Sequence, residues 1–303
     1  MIIQKKAYAK INLYLKILSK LPNGYHNIFT IMQKISLCDN LKININHGAA
    51  QKINIICDDK NVPTDKSNTA YKAAELFLER VLCFNGTPSV RPLQIEITID
   101  KKIPIQAGLG GGSSDAGAVL LGLNEYFDFI LPENILIEIA AKIGADVPFF
   151  VKNINCAVCE GIGEIVTPVY INLSDFFCVI VKPAFNVSTK QAYEDWDRFA
   201  TSSGASHNAH PTVPATLRDA LENIHNDFSG LVFSQNKNIK EIKDLILKSG
   251  ATASELSGSG SAVFGIFDNF DNAQKCREKI LRITQNDNFT PDIEFCDIFK
   301  FLC

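Results

Sequence analysis

The segment Pro104-Ile105-Gln106-Ala107-Gly108-Leu109-Gly110-Gly111-Gly112-Ser113-Ser114-Asp115 places four glycines in the five positions 108–112, and no other stretch constrains the fold as much. Glycine adopts backbone conformations that side chains forbid, and a run of glycines leaves bare N–H groups able to close around an anion. Upstream, Leu93–Asp100 alternates apolar and polar residues with β-branching, which predicts a strand. Downstream, Val119, Leu120, Leu123 and Phe127 recur at helical spacing, with Ser113 or Ser114 placed to cap the helix start. Strand, glycine loop and helix in that order aim backbone donors and the positive end of a helix dipole at one point, which is how phosphate is held. Composition alone leaves open a plain connecting loop; the flanking pattern favours a phosphate cradle.

Two familiar phosphate loops do not fit. A P-loop needs a lysine directly after its glycines, and none follows here. A dinucleotide fingerprint needs a third glycine where Ser113 stands, in a βαβ unit that opens the domain.

With 303 residues and 46% hydrophobic content, the chain suffices for two domains or one large one. No run of about twenty apolar residues marks a membrane span, and Met1–Lys6 lacks a signal-peptide layout, so the expected location is cytoplasmic. A net charge of -3, with lysines scattered among acids, excludes a broad basic field for nucleic acid or anionic membrane. Nine cysteines, an odd count, fit reduced thiols better than a disulfide framework. Cys156 and Cys159 form a single C-x-x-C with no second pair, which favours core filling over metal or redox chemistry. His207 and His210 fall in a polar stretch and read as solvated.

Along the chain, Ala7, Ala9, Ile11, Leu13, Leu15 and Ile17 share one face of a predicted strand, with Lys10 and Asn12 neighbours on the other. Pro22-Asn23-Gly24 signals a turn, which puts Tyr25 and His26 just past a hairpin tip before a strand over 28–35. A second alternating pair is expected at 41–46 and 51–57. A helix is predicted over 67–78 and another over 132–143, with proline in its first turn and Gly144 as its stop. Residues 151–182 read as strands, 195–214 as a long surface loop, and 239–248 and 272–283 as helices. Between them, Ser257-Gly258-Ser259-Gly260-Ser261 precedes a strand over 262–267 and reads either as an anion-facing turn or as a hairpin connection. The class is α+β.

Phosphoryl transfer to an alcohol requires a held phosphate, stabilised charge and an acceptor for the hydroxyl proton. A carboxylate and a lysine supply the last two. On residue type alone, Asp146 before Val147-Pro148 is equally an ordinary turn cap, and Lys10 an ordinary solvated strand residue.

The loop resembles that of the superfamily of galactokinase, homoserine kinase, mevalonate kinase and phosphomevalonate kinase, and its triple glycine with Ser113-Ser114-Asp115 is more narrowly similar to the kinases that phosphorylate 4-diphosphocytidyl-2-C-methyl-D-erythritol. Ala7-Tyr8-Ala9-Lys10-Ile11-Asn12, Gly24-Tyr25-His26 and Gly144-Ala145-Asp146-Val147-Pro148 match that family's other blocks, and the similarity runs from Lys6 to Phe267. The resemblance implies a two-domain small-molecule kinase: a ribosomal protein S5 domain 2-like ATP-binding and catalytic domain over 1–165, and a ferredoxin-like α/β-sandwich domain over 166–303 that closes the substrate cleft. It implies Asp146 as catalytic base with Lys10 beside it, and ATP bound by Pro104–Ser114 with Lys101 and Asn68. Asn12, Tyr25 and His26 fall to the cytidyl substrate, with Tyr25 stacking on the base and His26 reading its edge. Mg²⁺ is the implied metal, with no protein ligand assigned to it; no nucleic acid or membrane partner is implied. Val187-Ser188-Thr189 and Asn226-Asp227 extend the match into the last third. Gly117 stands where alanine is usual, which on propensity loosens the loop helix by about 1 kcal/mol, Phe228-Ser229 where Leu-Glu is usual, and Leu256 where methionine is usual. Another small-alcohol kinase of the superfamily, or a catalytically silent ligand sensor on the same fold, remains the alternative at this point.

Overall fold

The computed structural model describes residues 1–83, 91–203, 211–283 and 292–303. Two compact units interleave along the chain, where the sequence reading draws one boundary near 165: the first comprises 1–9, 37–103 and 110–154, the second 10–36, 104–109 and 155–303.

The long strands β1 (Ile2–Lys20) and β2 (His26–His47) each run through both units. The first unit adds β3 (Lys52–Cys57), α1 (Thr69–Cys83), β4 (Leu93–Asp100), α2 (Gly111–Tyr126), α3 (Glu133–Ile143) and the short α4 (Val147–Val151). Its sheet has the order β3-β4-β2-β1, with β4 antiparallel to β2 and parallel to β3. The two expected pieces 28–35 and 41–46 are thus one strand. The segments 41–46 and 51–57 do not pair with each other, because β4 lies between them. The polar interruption Asp39-Asn40 reads as a break in sequence, yet Asp39 is fully buried and partnered within the strand.

Alternation on β2 and β4 points Leu41, Ile43, Ile45, Leu93, Ile95, Ile97 and Ile99 at Phe77, Val119, Leu120 and Leu123 of the helices. Burying each such side chain is worth about 1.5–3 kcal/mol. α2 is buried nearly all round and so cannot read as amphipathic.

The second unit holds the β1–β2 hairpin, whose turn is closed by the Leu21 N–H donating to the Tyr25 carbonyl at 2.7 Å. It continues with β5 (Cys156–Glu160), β6 (Ile165–Pro168), β7 (Phe177–Pro183), α5 (Thr189–Ser203), α6 (Leu217–Glu222), β8 (His225–Asn226), α7 (Phe228–Gln235), α8 (Lys237–Lys248), β9 (Ala253–Leu256), β10 (Val263–Phe267), α9 (Phe270–Ile283) and β11 (Ile293–Lys300). β5 pairs with β2 and β6, and β8 runs parallel to β1. β7, β9, β10 and β11 form an antiparallel sheet of order β11-β7-β10-β9, the arrangement of a ferredoxin-like sandwich.

The expected surface loop over 195–214 is corrected in its first part. Residues 189–203 are helical because Ala192, Trp196 and Ala200 recur every four residues and pack on Phe228, Leu231 and Val232. Residues 204–210, with His207 and His210, lie outside the described residues. Pro132 precedes α3 as its N-cap rather than sitting in its first turn. Cys156 and Cys159 lie buried on β5, and burial pushes the Cys156 thiol up to about 12, which leaves no reactive thiolate there at neutral pH. No helix among the described residues is long and apolar enough to cross a membrane.

Gly117 does more than lower helix propensity. A Cβ added there would stand 2.8 Å from the Cβ of Phe150 and 3.3 Å from its carbonyl carbon, so α2 approaches α4 more closely than alanine permits. Propensity alone favours Gly117→Ala by about 1 kcal/mol, whereas overpacking against an immovable neighbour costs about 1–3 kcal/mol. The Tm of Gly117→Ala is therefore expected below the parent's in a thermal melt; an equal or higher Tm would remove the steric account.

Candidate active site

The glycine loop turns through three left-handed residues, Gln106 (φ 50°), Gly108 (φ 77°) and Gly110 (φ 72°), before α2 begins at Gly111. Gly108 is irreplaceable on two counts. Its φ favours glycine, and a Cβ there would fall 1.9 Å from the Ser257 carbonyl oxygen. Within the second unit, the Gly108 carbonyl accepts from the Lys10 ammonium at 2.9 Å and from the Ser257 hydroxyl at 3.0 Å. The backbone follows suit: the Lys10 N–H donates to the Leu109 carbonyl at 3.0 Å, and the Ala262 N–H to the Ala107 carbonyl at 3.2 Å. The serine–glycine turn is therefore a buried hairpin connection between β9 and β10 that braces this part of the loop. Asn226 braces the turn in its place, its amide donating to the Leu256 carbonyl at 2.8 Å and the Gly258 carbonyl at 2.7 Å.

Neither serine caps α2, contrary to the sequence expectation. Gly110 is the N-cap and offers no side chain, so the first turn keeps backbone N–H groups available to an anion. Ser114 lies inside the helix and donates its hydroxyl to the Tyr8 carbonyl at 2.7 Å. Ser113 faces Gly144: its Oγ stands 4.0 Å from where a Cβ on that glycine would be. The Gly144–Asp146 turn and the start of α2 therefore belong to one neighbourhood of the first unit. Asp146 precedes α4 as its N-cap residue without making a side-chain capping bond, so the turn-cap alternative has no capping hydrogen bond behind it.

Lys10 and Asn12 are both buried on β1, which overturns the solvated alternative for Lys10. The ammonium donates to Asn12 Oδ1 at 2.7 Å, Asn12 Nδ2 donates to Thr30 Oγ1 at 2.7 Å, and the Thr30 hydroxyl donates to the Tyr14 carbonyl at 2.6 Å. This relay fixes the Asn12 amide with its oxygen toward the lysine. It also shows Thr30 as a supporting residue the sequence did not single out.

The Lys101 side chain and Asn68 are buried as well. The Lys101 ammonium lies 2.5 Å from Asp39 Oδ2 and 2.8 Å from Asp115 Oδ2, under the first turn of α2. Asp39 Oδ1 in turn accepts the N–H groups of Lys102 and Ile103 at 2.6 and 2.8 Å. This buried triad clasps the chain before the loop to the helix after it. Asn68 donates to the Pro63 carbonyl at 2.6 Å and accepts the Ala70 N–H at 2.8 Å, which caps α1, while Thr69 donates to the Gly112 carbonyl at 2.7 Å.

At the hairpin tip, Tyr25 is exposed and His26 is not. His26 Nε2 lies 2.7 Å from Asp197 Oδ1, its ring stacks on Tyr193 at 4.8 Å, and Trp196 meets it edge-on at 6.3 Å. Lys20 holds the other oxygen of Asp197 at 2.6 Å. Tyr193 and Asp197 escaped sequence reading, although the four-residue spacing of Ala192, Trp196 and Ala200 carries the helical signal that places them. The departure at Ser229 is also resolved locally: its hydroxyl donates to Glu255 Oε1 at 2.5 Å, and Lys243 pairs with the other oxygen at 2.7 Å, so a carboxylate stands beside position 229 after all.

Burial pushes the Asp115 carboxyl up to about 7; Lys101 opposes this and Asp39 adds to it, and Asp115 Oδ1 has no hydrogen-bond partner among the described residues. Burial also acts to lower Lys101, but Asp115 and Asp39 outweigh it and hold the lysine above its ordinary value. The folded Asp115 keeps its proton to higher pH than the unfolded one. The stability linked to it is therefore fully present below the ordinary carboxylate range and is lost as pH rises through about 7. Asp115→Asn removes this loss, so its Tm relative to the parent is expected to climb between about pH 4 and pH 7 and to level off above that. A difference that stays flat would remove the raised-carboxyl assignment.

Residues 68–153 match the GHMP kinases N terminal domain and residues 211–284 the GHMP kinases C terminal domain. The chain is 40% identical over 280 residues to the 4-diphosphocytidyl-2-C-methyl-D-erythritol kinase of Clostridium novyi (strain NT), covering 90% of this chain and 94% of that one. It is 38% identical over 267 residues to the kinase of the same name from Desulfotalea psychrophila, covering 88% and 85%. A crystal structure of 4-(cytidine 5'-diphospho)-2C-methyl-D-erythritol kinase matches with a TM-score of 0.73 and 27% identity over 98% of this chain and 99% of that one. Homoserine kinase from Cytophaga hutchinsonii shares the fold, with a TM-score of 0.66 at 17% identity over 96% and 94%. An identity near 40% over nine-tenths of the sequence, on a fold with both kinase domains, means that the chain belongs to the 4-diphosphocytidyl-2-C-methyl-D-erythritol kinase family of the GHMP kinases.

Proposed function

We propose that the protein transfers the γ-phosphate of ATP to the 2-hydroxyl of 4-diphosphocytidyl-2-C-methyl-D-erythritol, giving the 2-phosphate and ADP, a step of non-mevalonate isoprenoid precursor biosynthesis. The observation that carries this reading is the left-handed glycine loop opening α2, braced by Lys10, in a chain that belongs to this kinase family. The functional division we infer assigns ATP binding and catalysis to residues 1–165 and the substrate cleft to 166–303.

In this mechanism the backbone N–H groups of Gly110–Ser113 hold the phosphates, and the remainder of Pro104–Ser114 shapes the loop. Asp146 accepts the proton of the attacking hydroxyl, and Lys10 stabilises the charge that develops on the transferred group. Lys101 and Asn68 serve ATP indirectly, by clasping the loop and capping α1, since the contacts of both run to protein groups. Asn12 orients Lys10, while Tyr25 and His26 bind the cytidyl group. Mg²⁺ fits as a cation delivered with the triphosphate, because no group of acidic, histidine or cysteine side chains among the described residues forms a metal site of its own. Ser113 would join the phosphate oxygens in holding it, since the Ser114 hydroxyl is committed to Tyr8. The ion neutralises charge on the phosphates when bound.

Coupled ADP release with Mg-ATP is expected with the cytidyl substrate and not with homoserine or mevalonate; turnover restricted to another alcohol would overturn the substrate. Asp146→Asn is expected to lower kcat by roughly 10²–10⁴-fold with KM little changed. Undiminished turnover in that variant would remove Asp146 as the base.

A further inference from the structure

We propose that Asp197 is a positioning residue that fixes the ring proton of His26 on Nε2, leaving Nδ1 as the acceptor that selects cytosine over uracil. The inference rests on the reading of His26 as a contact to the base.

The geometry comes from three elements of the second unit. His26 opens β2 directly after the hairpin turn, and its ring is sandwiched by α5, with Tyr193 stacked on its face and Trp196 against its edge. Its side chain is only 4% exposed, so the ring has one orientation. Asp197 then lies on the same helix within 2.7 Å of Nε2.

An ionised carboxylate has only lone pairs to offer, so a hydrogen bond at this distance puts the proton on Nε2. Asp197 is kept ionised because hydrogen bonds from Lys20 and His26 outweigh the upward push of its burial, and its carboxyl lies below the usual value. Lys20, from the end of β1, occupies the second oxygen and prevents the carboxylate from turning away. In the neutral ring Nδ1 is then a lone pair, and among the described residues the side-chain hydrogen bond of the ring is the one at Nε2.

That lone pair discriminates. Cytosine presents a 4-amino donor, which satisfies it. Uracil presents a 4-oxo acceptor at the same place, which sets lone pair against lone pair and leaves both groups unpaired. A site whose polar group is left unpaired by the wrong ligand rejects it far more strongly than a pocket of mismatched shape does. Asp197 thereby acts on specificity without touching substrate.

The test is competition of CDP against UDP for the full-length enzyme, with steady-state kinetics on the cytidyl substrate, in the parent, Asp197→Asn and His26→Gln. Asparagine is nearly isosteric but can face Nε2 with either its oxygen or its NH₂, so the ring proton is no longer fixed. Asp197→Asn is expected to lower the preference for CDP over UDP by roughly tenfold and to raise KM for the cytidyl substrate, with kcat and KM for ATP changed by less than about twofold. Asp197→Glu is expected to recover part of the preference. Ring ¹⁵N spectra of the parent, with His26 assigned by its loss in His26→Gln, should show the proton on Nε2. A proton on Nδ1, or an undiminished preference in Asp197→Asn, would overturn the proposal while leaving His26 as a base contact. An undiminished preference in His26→Gln would instead overturn the base contact itself. Should Asp197→Asn fail to fold, the spectrum of the parent decides alone.

Discussion

The approach of the Gly108 backbone to Ser257 is the contact on which the second unit's part of the phosphate loop depends. A side chain is impossible at position 108, since its first atom would lie 1.9 Å from a carbonyl oxygen. That absence lets the Gly108 carbonyl take two donors at once, the Lys10 ammonium and the Ser257 hydroxyl. Two segments far apart in sequence, β1 and the turn between β9 and β10, therefore converge on a single peptide group. The Asn226 amide holds the turn by two carbonyls and so acts on the loop from one residue further away. Hydrogen bonds of this buried kind add only about 1 kcal/mol each, but leaving one unmade costs about 1–3 kcal/mol. The constraint is thus less a source of stability than a penalty on every other arrangement.

The first unit fixes its portion of the loop by a different physical means. There the clasp is ionic: Lys101 lies between Asp39, which also receives two backbone N–H groups, and Asp115 in the first turns of α2. Burial, with a second carboxylate beside one ammonium, makes charging all three groups costly, which is why Asp115 keeps its proton toward neutrality. Buried ion pairs seldom stabilise more than apolar packing of the same volume would. What this one supplies is definition, because it ties the residues before the loop to the residues after it whatever the glycines between them do.

Much of the proposed site is legible in the sequence, for reasons that differ by residue. The glycine loop, Lys10, Asn12 and Asp146 stand out because the chemistry proposed for them calls for fixed residue types at short, fixed spacings. Asp39 was hidden, since a carboxylate in a strand reads as a break unless its partner Lys101, 62 residues away, is known. Asp197 was hidden twice over: its partner His26 lies 171 residues away, and the polar residues around it masked the spacing of Ala192, Trp196 and Ala200. Likewise the sequence predicts a serine cap on α2, because a hydroxyl after a glycine run normally signals a cap; Ser114 instead turns to the Tyr8 carbonyl and leaves the helix end open. Each miss is a residue whose role is set by a long-range partner, which no local pattern encodes.

The departures from the family pattern follow the same logic. Gly117 is explained by Phe150, which occupies the space a methyl group would need. Ser229 is explained by Glu255, whose carboxylate stands beside it and is neutralised by Lys243. In both cases a change that looks like a loss in one dimension is an exchange in three, with the missing group supplied by, or yielded to, a neighbour. The fold itself is shared with homoserine kinase at 17% identity, so the architecture alone does not choose a substrate. The elements open to that choice are those outside the phosphate loop, and under the proposed function the hairpin tip of the second unit, with α5 packed on His26, is where recognition of the cytidyl group is built from residues the loop does not use.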